Sequence, residues 1–473
     1  MQFDRLPLLE ILAECAESQN AAFHTPGHKR GQGSFKAFQQ LVGDRTLQAD
    51  LPELPELDNL FAPQGAIAQA QTLAAQTFGA GQTWFLANGS TAGIIAAILA
   101  TCNPGDKILL PRNVHQSAIS GLILSGAMPI FLQPEYDANL DIAHSVTPET
   151  VAIALQTHPD VKAILIVYPT YYGVCAEIQA IANLAHAAGI PLLVDEAHGA
   201  HFAFHPDLPI SALSAGADLT VQSTHKTLSA LTQASMLHVQ GERIDRDRIA
   251  RSMQLVQSTS PNYLLLASLD AARAQMAIEG KELMARTLEL ADQARSSIAE
   301  IPNLSVFQPP EPFQFDRTRL TVTVSQLGID GFTADEILHQ NLGVTAELPS
   351  LQHLTFIISL GNTETDIDQL VQALKQLPSG SFSPMQISEF DLPETVMSPR
   401  EAFFAESETI ETRLAVDRVS AELICPYPPG IPVLLPGERI TESAIASLKA
   451  VLAAGGFISG CSDSSLNTLK VLR

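Results

Sequence analysis

Two runs of sequence decide the fold of this chain: Leu192-Leu193-Val194-Asp195-Glu196-Ala197-His198-Gly199-Ala200-His201 and Leu219-Thr220-Val221-Gln222-Ser223-Thr224-His225-Lys226-Thr227. Each run begins with apolar and β-branched residues, which favour a buried β-strand, and then becomes polar. Similar short runs alternate with Ala-rich helical stretches from about residue 60 to residue 300. This alternation is typical of βαβ units, so the sequence predicts an α/β fold with a mostly parallel sheet covered by helices on both faces.

Seven runs share this composition and are predicted as strands of the sheet: Thr83 to Leu86, Lys107 to Leu110, Pro129 to Leu132, Ala163 to Val167, Pro191 to Val194, Leu219 to Gln222 and Ser235 to Val239. Helices are predicted between several of them, including Ala92 to Ala100 and Ile178 to Ala188.

The chain is predicted to have four parts: an N-terminal arm (1–55), a large domain (56–300), a small α+β domain (301–380) and a C-terminal segment (381–473). The arm contains an amphipathic helix around Leu8 and Leu12 and then a Gly/His/Lys-rich loop. In the small domain the pattern predicts strands and helices in alternation: Arg319 to Val324, Thr333 to Gln340, Leu354 to Ser359 and Glu364 to Leu377. The Pro/Gly/Ser-rich stretch Leu377 to Pro384 is predicted to be a linker.

Composition narrows the class of protein. Of the 473 residues 46% are hydrophobic and 16% charged, which indicates a compact globular protein with a large core. The formal net charge of -23 disfavours general binding to nucleic acid or anionic membrane and would attract a cationic small molecule, although acidity also serves solubility. Five scattered cysteines, no basic N-terminal leader and no long apolar run predict reduced thiols in the cytoplasm, with neither signal peptide nor membrane span.

Ligands of open parallel sheets bind at the carboxyl ends of the strands, so the residues that follow each predicted strand are the candidates. The first is Ala87-Asn88-Gly89-Ser90-Thr91, which leads into a helix. Gly89 allows close backbone approach, and the helix N-terminus with the Ser90 and Thr91 hydroxyls can bind a phosphate. Ordinary helix capping by Ser and Thr is the alternative.

Asp195 places a carboxylate at the end of a buried strand, where it needs a partner. A protonated pyridine nitrogen is a suitable one, because the carboxylate keeps such a ring cationic and electron-accepting. The alternative is a structural aspartate that caps the next helix.

Lys226 ends another strand among hydroxyls and beside His225. A lysine in such surroundings can react with an aldehyde to form a Schiff base, whereas the alternative is an ordinary surface lysine. His115, in Asn113-Val114-His115-Gln116-Ser117, can stack on a ring or act as acid or base, although a lone loop histidine often has no such role.

These runs, in this order, resemble the fold type I enzymes that use pyridoxal 5'-phosphate (PLP). Finer motifs resemble the short form of the Orn/Lys/Arg decarboxylase family, and the match extends from Phe23 to Glu438. The motifs are His24-Thr25-Pro26-Gly27-His28-Lys29, Phe78-Gly79-Ala80, Pro426-Tyr427-Pro428-Pro429-Gly430-Ile431-Pro432 and Pro436-Gly437-Glu438.

The resemblance implies a PLP-dependent lyase of polyamine metabolism that removes the α-carboxylate of lysine, ornithine or arginine. It implies that Lys226 binds the cofactor covalently, that Asp195 pairs with the pyridine nitrogen, that His115 stacks on the ring, and that Lys226 or His198 returns a proton to Cα. It also implies further cofactor contacts from these residues: Gly89, Ser90, Thr91, Ala197, Ser223, His225 and, from a second subunit of a homodimer, Ser258. No metal is expected.

Three alternatives stay open at this stage. The first is a PLP-dependent aminotransferase or lyase, which shares the sheet and the lysine. The second is a zinc hydrolase built on His198, His201 and Asp195, and the third is a non-catalytic relative.

Two positions depart from the family pattern: Pro52 beside Glu53, where Thr is expected, and Asp417, where Gly is expected. Aspartate tolerates a left-handed backbone better than most residues, so the second departure is mild. The acid that binds the substrate's side chain could be Glu438, Glu53 or a carboxylate of a partner chain.

Overall fold

The computed structural model describes residues 3–382, 392–427, 432–453 and 455–473. The chain divides into two compact units. The first consists of Met1–Ala100 and Val194–Met284, and the second of Thr101–Leu193 and Ala285–Arg473. The predicted division into four parts stays a prediction.

The elements alternate along the chain much as the sequence predicts. The α-helices are α1 (Pro7–Glu17), α2 (Lys36–Val42), α3 (Asp44–Ala49), α4 (Ala66–Phe78), α5 (Gly89–Thr101), α6 (Gln116–Ser125), α7 (Pro148–Thr157), α8 (Ile178–Ala187), α9 (Thr224–Thr227), α10 (Arg246–Val256), α11 (Tyr263–Ala299), α12 (Gly331–Asn341), α13 (Glu364–Leu374), α14 (Pro399–Phe404) and α15 (Glu442–Ala453). The strands are β1 (Gln82–Leu86), β2 (Lys107–Pro111), β3 (Met128–Leu132), β4 (Tyr136–Asp137), β5 (Ile142–Ala143), β6 (Ala163–Val167), β7 (Val174–Cys175), β8 (Leu192–Asp195), β9 (Leu219–Gln222), β10 (Ser235–Val239), β11 (Ser305–Val306), β12 (Gln314–Phe315), β13 (Arg319–Thr323), β14 (Leu348–Pro349), β15 (His353–Ile357), β16 (Ser407–Glu411), β17 (Cys425–Tyr427), β18 (Phe457–Ser459) and β19 (Thr468–Leu472).

In the first unit the strand order is β1-β10-β9-β8, and the unit boundary falls inside β8. Strand β10 is antiparallel to both of its neighbours, β1 and β9. Strands β1 and β9 therefore run in the same direction, and their carboxyl ends lie at the same edge of the sheet. This edge carries the residues that the sequence singles out around Gly89 and Lys226.

In the second unit the order is β8-β6-β2-β3, and β2 is parallel to both β6 and β3. All seven predicted strands are confirmed to within one residue at each end. The mostly parallel α/β architecture is also confirmed, with β10 as an exception that the pattern of residues did not indicate.

Further hydrophobic cores lie in the same unit. The antiparallel sheet β11-β13-β15-β14 packs with α12 and α13 around buried residues such as Leu320, Leu354 and Leu370. The pairs β16·β19 and β17·β18 accompany α15 around a separate core that includes Ile424 and Leu448. The helices and strands predicted between residues 319 and 377 are confirmed, with α13 ending at Leu374.

Asp417 adopts a positive φ of 65°, so the aspartate does occupy a left-handed position, as its tolerance for that conformation predicts. All five cysteines are free thiols. Within the described residues, every helix is too short or too polar to cross a bilayer. Two predictions fall partly outside those residues: Pro428 to Ile431 of the C-terminal motif and the end of the linker beyond residue 382.

Candidate active site

The cradle at the start of α5 depends on two glycines. Gly89 begins the helix directly after β1 with a φ of 74°, a left-handed conformation that other residues adopt at a cost. A Cβ on Gly93 would lie 2.6 Å from Val221 Cγ1 and 2.7 Å from Leu86 Cδ1, so glycine lets α5 pack closely on the sheet. The helix N-terminus, with its unpaired backbone N–H groups, is thereby held at the carboxyl edge of β1.

Two serines join the loops that follow β1 and β9. The Ser223 hydroxyl donates a hydrogen bond to Ser90 Oγ at 2.8 Å, and Ser223 is fully buried. Because Ser90 accepts this bond, its own hydroxyl proton is free to point at another acceptor. Thr91 beside it is exposed. This arrangement of hydroxyls and helix N–H groups suits an anion such as a phosphate.

Lys226 and His198 are in direct contact. Lys226 lies on the single turn α9, which follows β9, and its Nζ is 2.9 Å from His198 Nε2. His198 is 7% exposed, and Lys226 is half-buried. A charged lysine can only donate, so His198 accepts in that state, whereas a neutral amine can accept a proton from the ring. The pair can therefore pass a proton across one hydrogen bond.

Asp195 lies where β8 ends and is 7% exposed. Its Oδ1 accepts a hydrogen bond from the Ala197 backbone N–H at 3.2 Å. The next residue, Glu196, donates its backbone N–H to Val221 O at 2.9 Å, which holds this turn beside the end of β9. Asp195 and Lys226 thus follow neighbouring strands of the first unit.

A buried polar network that the sequence reasoning missed lies behind this turn. Gln222 Nε2 donates to Glu196 Oε2 at 2.8 Å, and the Ala212 N–H donates to Glu196 Oε1 at 2.7 Å. His238 Nε2 lies 3.1 Å from Gln222 Oε1, and His238 Nδ1 lies 2.7 Å from Thr83 Oγ1. Since the Gln222 oxygen can only accept, His238 must carry its proton on Nε2 and Thr83 must donate to Nδ1.

Burial shifts the pKa of both ionisable groups in this network. Desolvation raises the pKa of Glu196 to about 7 against the opposing hydrogen bonds from Ala212 and Gln222, and it lowers the pKa of His238 to about 3. Both groups are therefore held toward their neutral forms. Polar residues inside predicted buried strands, such as Gln222 and His238, were the available signal.

The remaining predicted cofactor residues lie in different surroundings. His225 Nδ1 donates to Ala234 O at 3.1 Å, which leaves Nε2 as the accepting nitrogen of the neutral ring. Ser258 is exposed, and its N–H donates to Asn88 Oδ1 at 3.1 Å, next to Gly89 of the same chain. Its reach across a subunit interface stays a prediction.

His115 belongs to the second unit. It caps α6, its Nδ1 accepts from the Ser117 N–H at 3.2 Å, and its side chain is exposed. Its stacking on a cofactor ring stays a prediction.

Glu438, one of the acids suggested for the substrate's side chain, has another role. Arg112 donates two hydrogen bonds to it, at 2.5 and 2.9 Å, and the Leu435 N–H donates a third at 2.9 Å. Both side chains are buried, with Glu438 1% exposed. This bidentate pair engages both carboxylate oxygens, so Glu438 anchors Arg112 inside the second unit. Its role as the acid that binds substrate stays a prediction.

The zinc-hydrolase alternative finds no support in the geometry. His198 contacts Lys226, and the buried His201 packs edge-on against Phe202. In the part of the chain that the structure describes, no group of three His, Cys, Asp or Glu side chains is placed to hold a metal ion.

Comparison with known proteins identifies relatives of this chain. The chain matches the family described as "Orn/Lys/Arg decarboxylase, major domain" over residues 6–323 and the corresponding C-terminal domain over residues 384–459. The arginine decarboxylase of Bacillus subtilis (strain 168) is 40% identical over 478 residues, which cover 99% of this chain and 98% of that protein.

Solved structures of other enzymes share the fold. The lysine decarboxylase LdcF of Francisella novicida superposes with a TM-score of 0.85 and 23% identity, covering 99% of this chain and 81% of that one. An alanine–glyoxylate aminotransferase from Nostoc sp. has a TM-score of 0.53 and 18% identity, covering 66% of this chain and 86% of that one. The predicted fold class is therefore confirmed, and because decarboxylases and aminotransferases share it, the fold alone does not decide the reaction.

Proposed function

Because the chain belongs to the Orn/Lys/Arg decarboxylase family, we propose that it decarboxylates arginine, consuming one proton and releasing CO2 and agmatine. The observation that carries this proposal is the 40% identity to arginine decarboxylases along nearly the whole of both chains. Lysine decarboxylases such as that of Escherichia coli are 26% identical, which makes lysine the second candidate.

The residues of the first unit suit PLP. Lys226 would hold the cofactor covalently, the α5 N-terminus with Ser90 and Ser223 would hold its phosphate, and Asp195 would hold its ring nitrogen in the protonated form. When bound, this cofactor supplies an electron sink for negative charge at the substrate's Cα.

The chain's own contribution is to place charges and protons. The Asp195 carboxylate, fixed by the Ala197 N–H, would keep a positive charge opposite it. The Lys226 and His198 pair would deliver the proton that Cα needs after CO2 leaves, since the two side chains share one hydrogen bond of 2.9 Å. Either of the two can carry that proton.

The test is release of CO2 from arginine, lysine and ornithine by the purified protein with PLP. We expect arginine to give the highest kcat/KM and agmatine to appear in equal amount. A Lys226→Ala variant is the control for background release.

Formation of the keto acid without CO2 would instead identify an aminotransferase. Absence of CO2 from all three substrates would overturn the proposal.

A further inference from the structure

The segment before α4 contains two glutamates in equivalent sequence positions, Leu51-Pro52-Glu53 and Leu54-Pro55-Glu56. The structure places them differently. Glu56 is exposed, whereas Glu53 is partly buried and its Oε2 accepts a hydrogen bond from Asn59 Nδ2 at 2.8 Å. The other oxygen, Glu53 Oε1, is buried and has no hydrogen-bond partner among the described residues.

A buried carboxylate oxygen without a donor is costly, and a cationic donor is the partner that offsets the cost best. The chain supplies none: within the described residues, no lysine or arginine forms an ion pair with Glu53. Asp58, a third acid of this segment, is already satisfied, because its oxygens accept backbone N–H groups including those of Gln64 and Gly65 at 2.9 and 2.7 Å. With Asp58 satisfied and Glu56 exposed to solvent, Glu53 is the acid of this segment with a buried oxygen left to receive a cation.

The topology of the first unit brings this segment to the edge of the candidate site. Helix α4 packs on β1 and joins it through a short turn at Gly79, so its N-terminus lies toward the end of the sheet where β1 finishes. Asp58 caps that N-terminus by accepting the Ile67 N–H at 3.1 Å. Glu53 therefore lies on the side of the sheet where the cradle at Gly89 begins.

Tyr263 also connects the segment around Glu53 to the loop that precedes α5. The Tyr263 hydroxyl donates to Asp58 O at 2.6 Å, and burial together with the charges of Glu53 and Asp58 raises the pKa of this phenol. Tyr263 begins α11 shortly after Ser258, whose N–H is bound to Asn88 beside Gly89. Pro52 and Pro55 restrict the backbone around Glu53, so the carboxylate is held in place before a ligand arrives.

We propose that Glu53 binds the cationic end of the substrate's side chain, the guanidinium of arginine, and so determines specificity. This inference rests on the proposed function. Oε1 is the oxygen that lacks a donor, while Asn59 holds Oε2 and thereby the plane of the carboxylate. A guanidinium, with five donors in a plane, suits such an acceptor.

The matched variants are Glu53→Gln and Glu56→Gln, which remove the same charge from the two equivalent positions. In Glu53→Gln we expect KM for arginine and the Kd for agmatine, measured by calorimetry, to rise by roughly tenfold or more, the effect of one charge-assisted hydrogen bond. Glu56→Gln should leave both unchanged. Citrulline has arginine's shape without its charge, so its kcat/KM should be the same in Glu53→Gln as in the wild type.

The outcomes separate the two proposals. If the wild-type protein releases CO2 but the two variants behave alike, the role of Glu53 is overturned. An equal loss for arginine and citrulline would also overturn it, since that result indicates general damage to the site. If the wild-type protein releases no CO2, the proposed function fails, and agmatine binding, which needs no turnover, still decides the role of Glu53.

Discussion

The buried network around Glu196 makes stability depend on pH in a direction that can be worked out. Glu196 is fully buried, and its pKa rises from 4.5 to about 7 on folding. The folded protein therefore holds this proton more tightly than the unfolded chain does. The resulting stabilisation is complete below pH 4.5 and is lost as the pH rises through 7.

The size of the effect follows from the shift of pKa. The difference between the two pKa values corresponds to ~3 kcal/mol, most of which is lost between pH 5 and pH 8. Glu196→Gln removes this titration. The variant can keep the hydrogen bonds of the network if each changes direction. The Gln222 amide turns so that its oxygen accepts from Gln at position 196, and His238 carries its proton on Nδ1 and donates to Thr83.

The measurement is the free energy of unfolding in urea at pH 5 and pH 8 for the wild type and Glu196→Gln. Between pH 5 and pH 8, the free energy of unfolding of the wild type should fall by about 2 to 3 kcal/mol more than that of the variant. His238 titrates in both proteins, so its contribution cancels. Glu242 is exposed, so the control variant Glu242→Gln should lose as much stability between pH 5 and pH 8 as the wild type does. If Glu196→Gln also loses as much stability as the wild type, the reasoning is refuted.

Four further outcomes are expected. Borohydride reduction in the presence of PLP, followed by peptide mapping, should label Lys226, and a label on another lysine would contradict its assignment. Asp195→Asn should keep its fold, by circular dichroism, while turnover falls by orders of magnitude; near-normal turnover would contradict its role. Glu438→Gln should lower the free energy of unfolding by about 3 to 5 kcal/mol, because Arg112 is left buried without its anion, and an unchanged urea midpoint would rule this out. If the working unit is a homodimer that shares its sites, mixed Lys226→Ala and Ser258→Ala subunits should be more active than either parent, and an active monomer in sedimentation would exclude that arrangement.

The strands and most helices could be predicted because their signals are local. A run such as Ala163–Val167 carries its own β-propensity, and the polar residue that ends β8 or β9 marks the carboxyl edge without any tertiary information. The direction of β10 could not be predicted, because a five-residue strand has the same composition in either direction. Its antiparallel placement depends on which edges of β1 and β9 are available.

The sequence by itself determined the α/β class, the edge of the sheet that carries the candidate site, and the residue types gathered there around Lys226 and Asp195. Only the tertiary structure decided which of those residues touch. Ser90 and Ser223 are 133 positions apart, and Arg112 and Glu438 are 326 apart, yet each pair is hydrogen-bonded. Such contacts depend on how helices and strands pack and on which buried polar atoms must find partners, and local propensity carries no information about either.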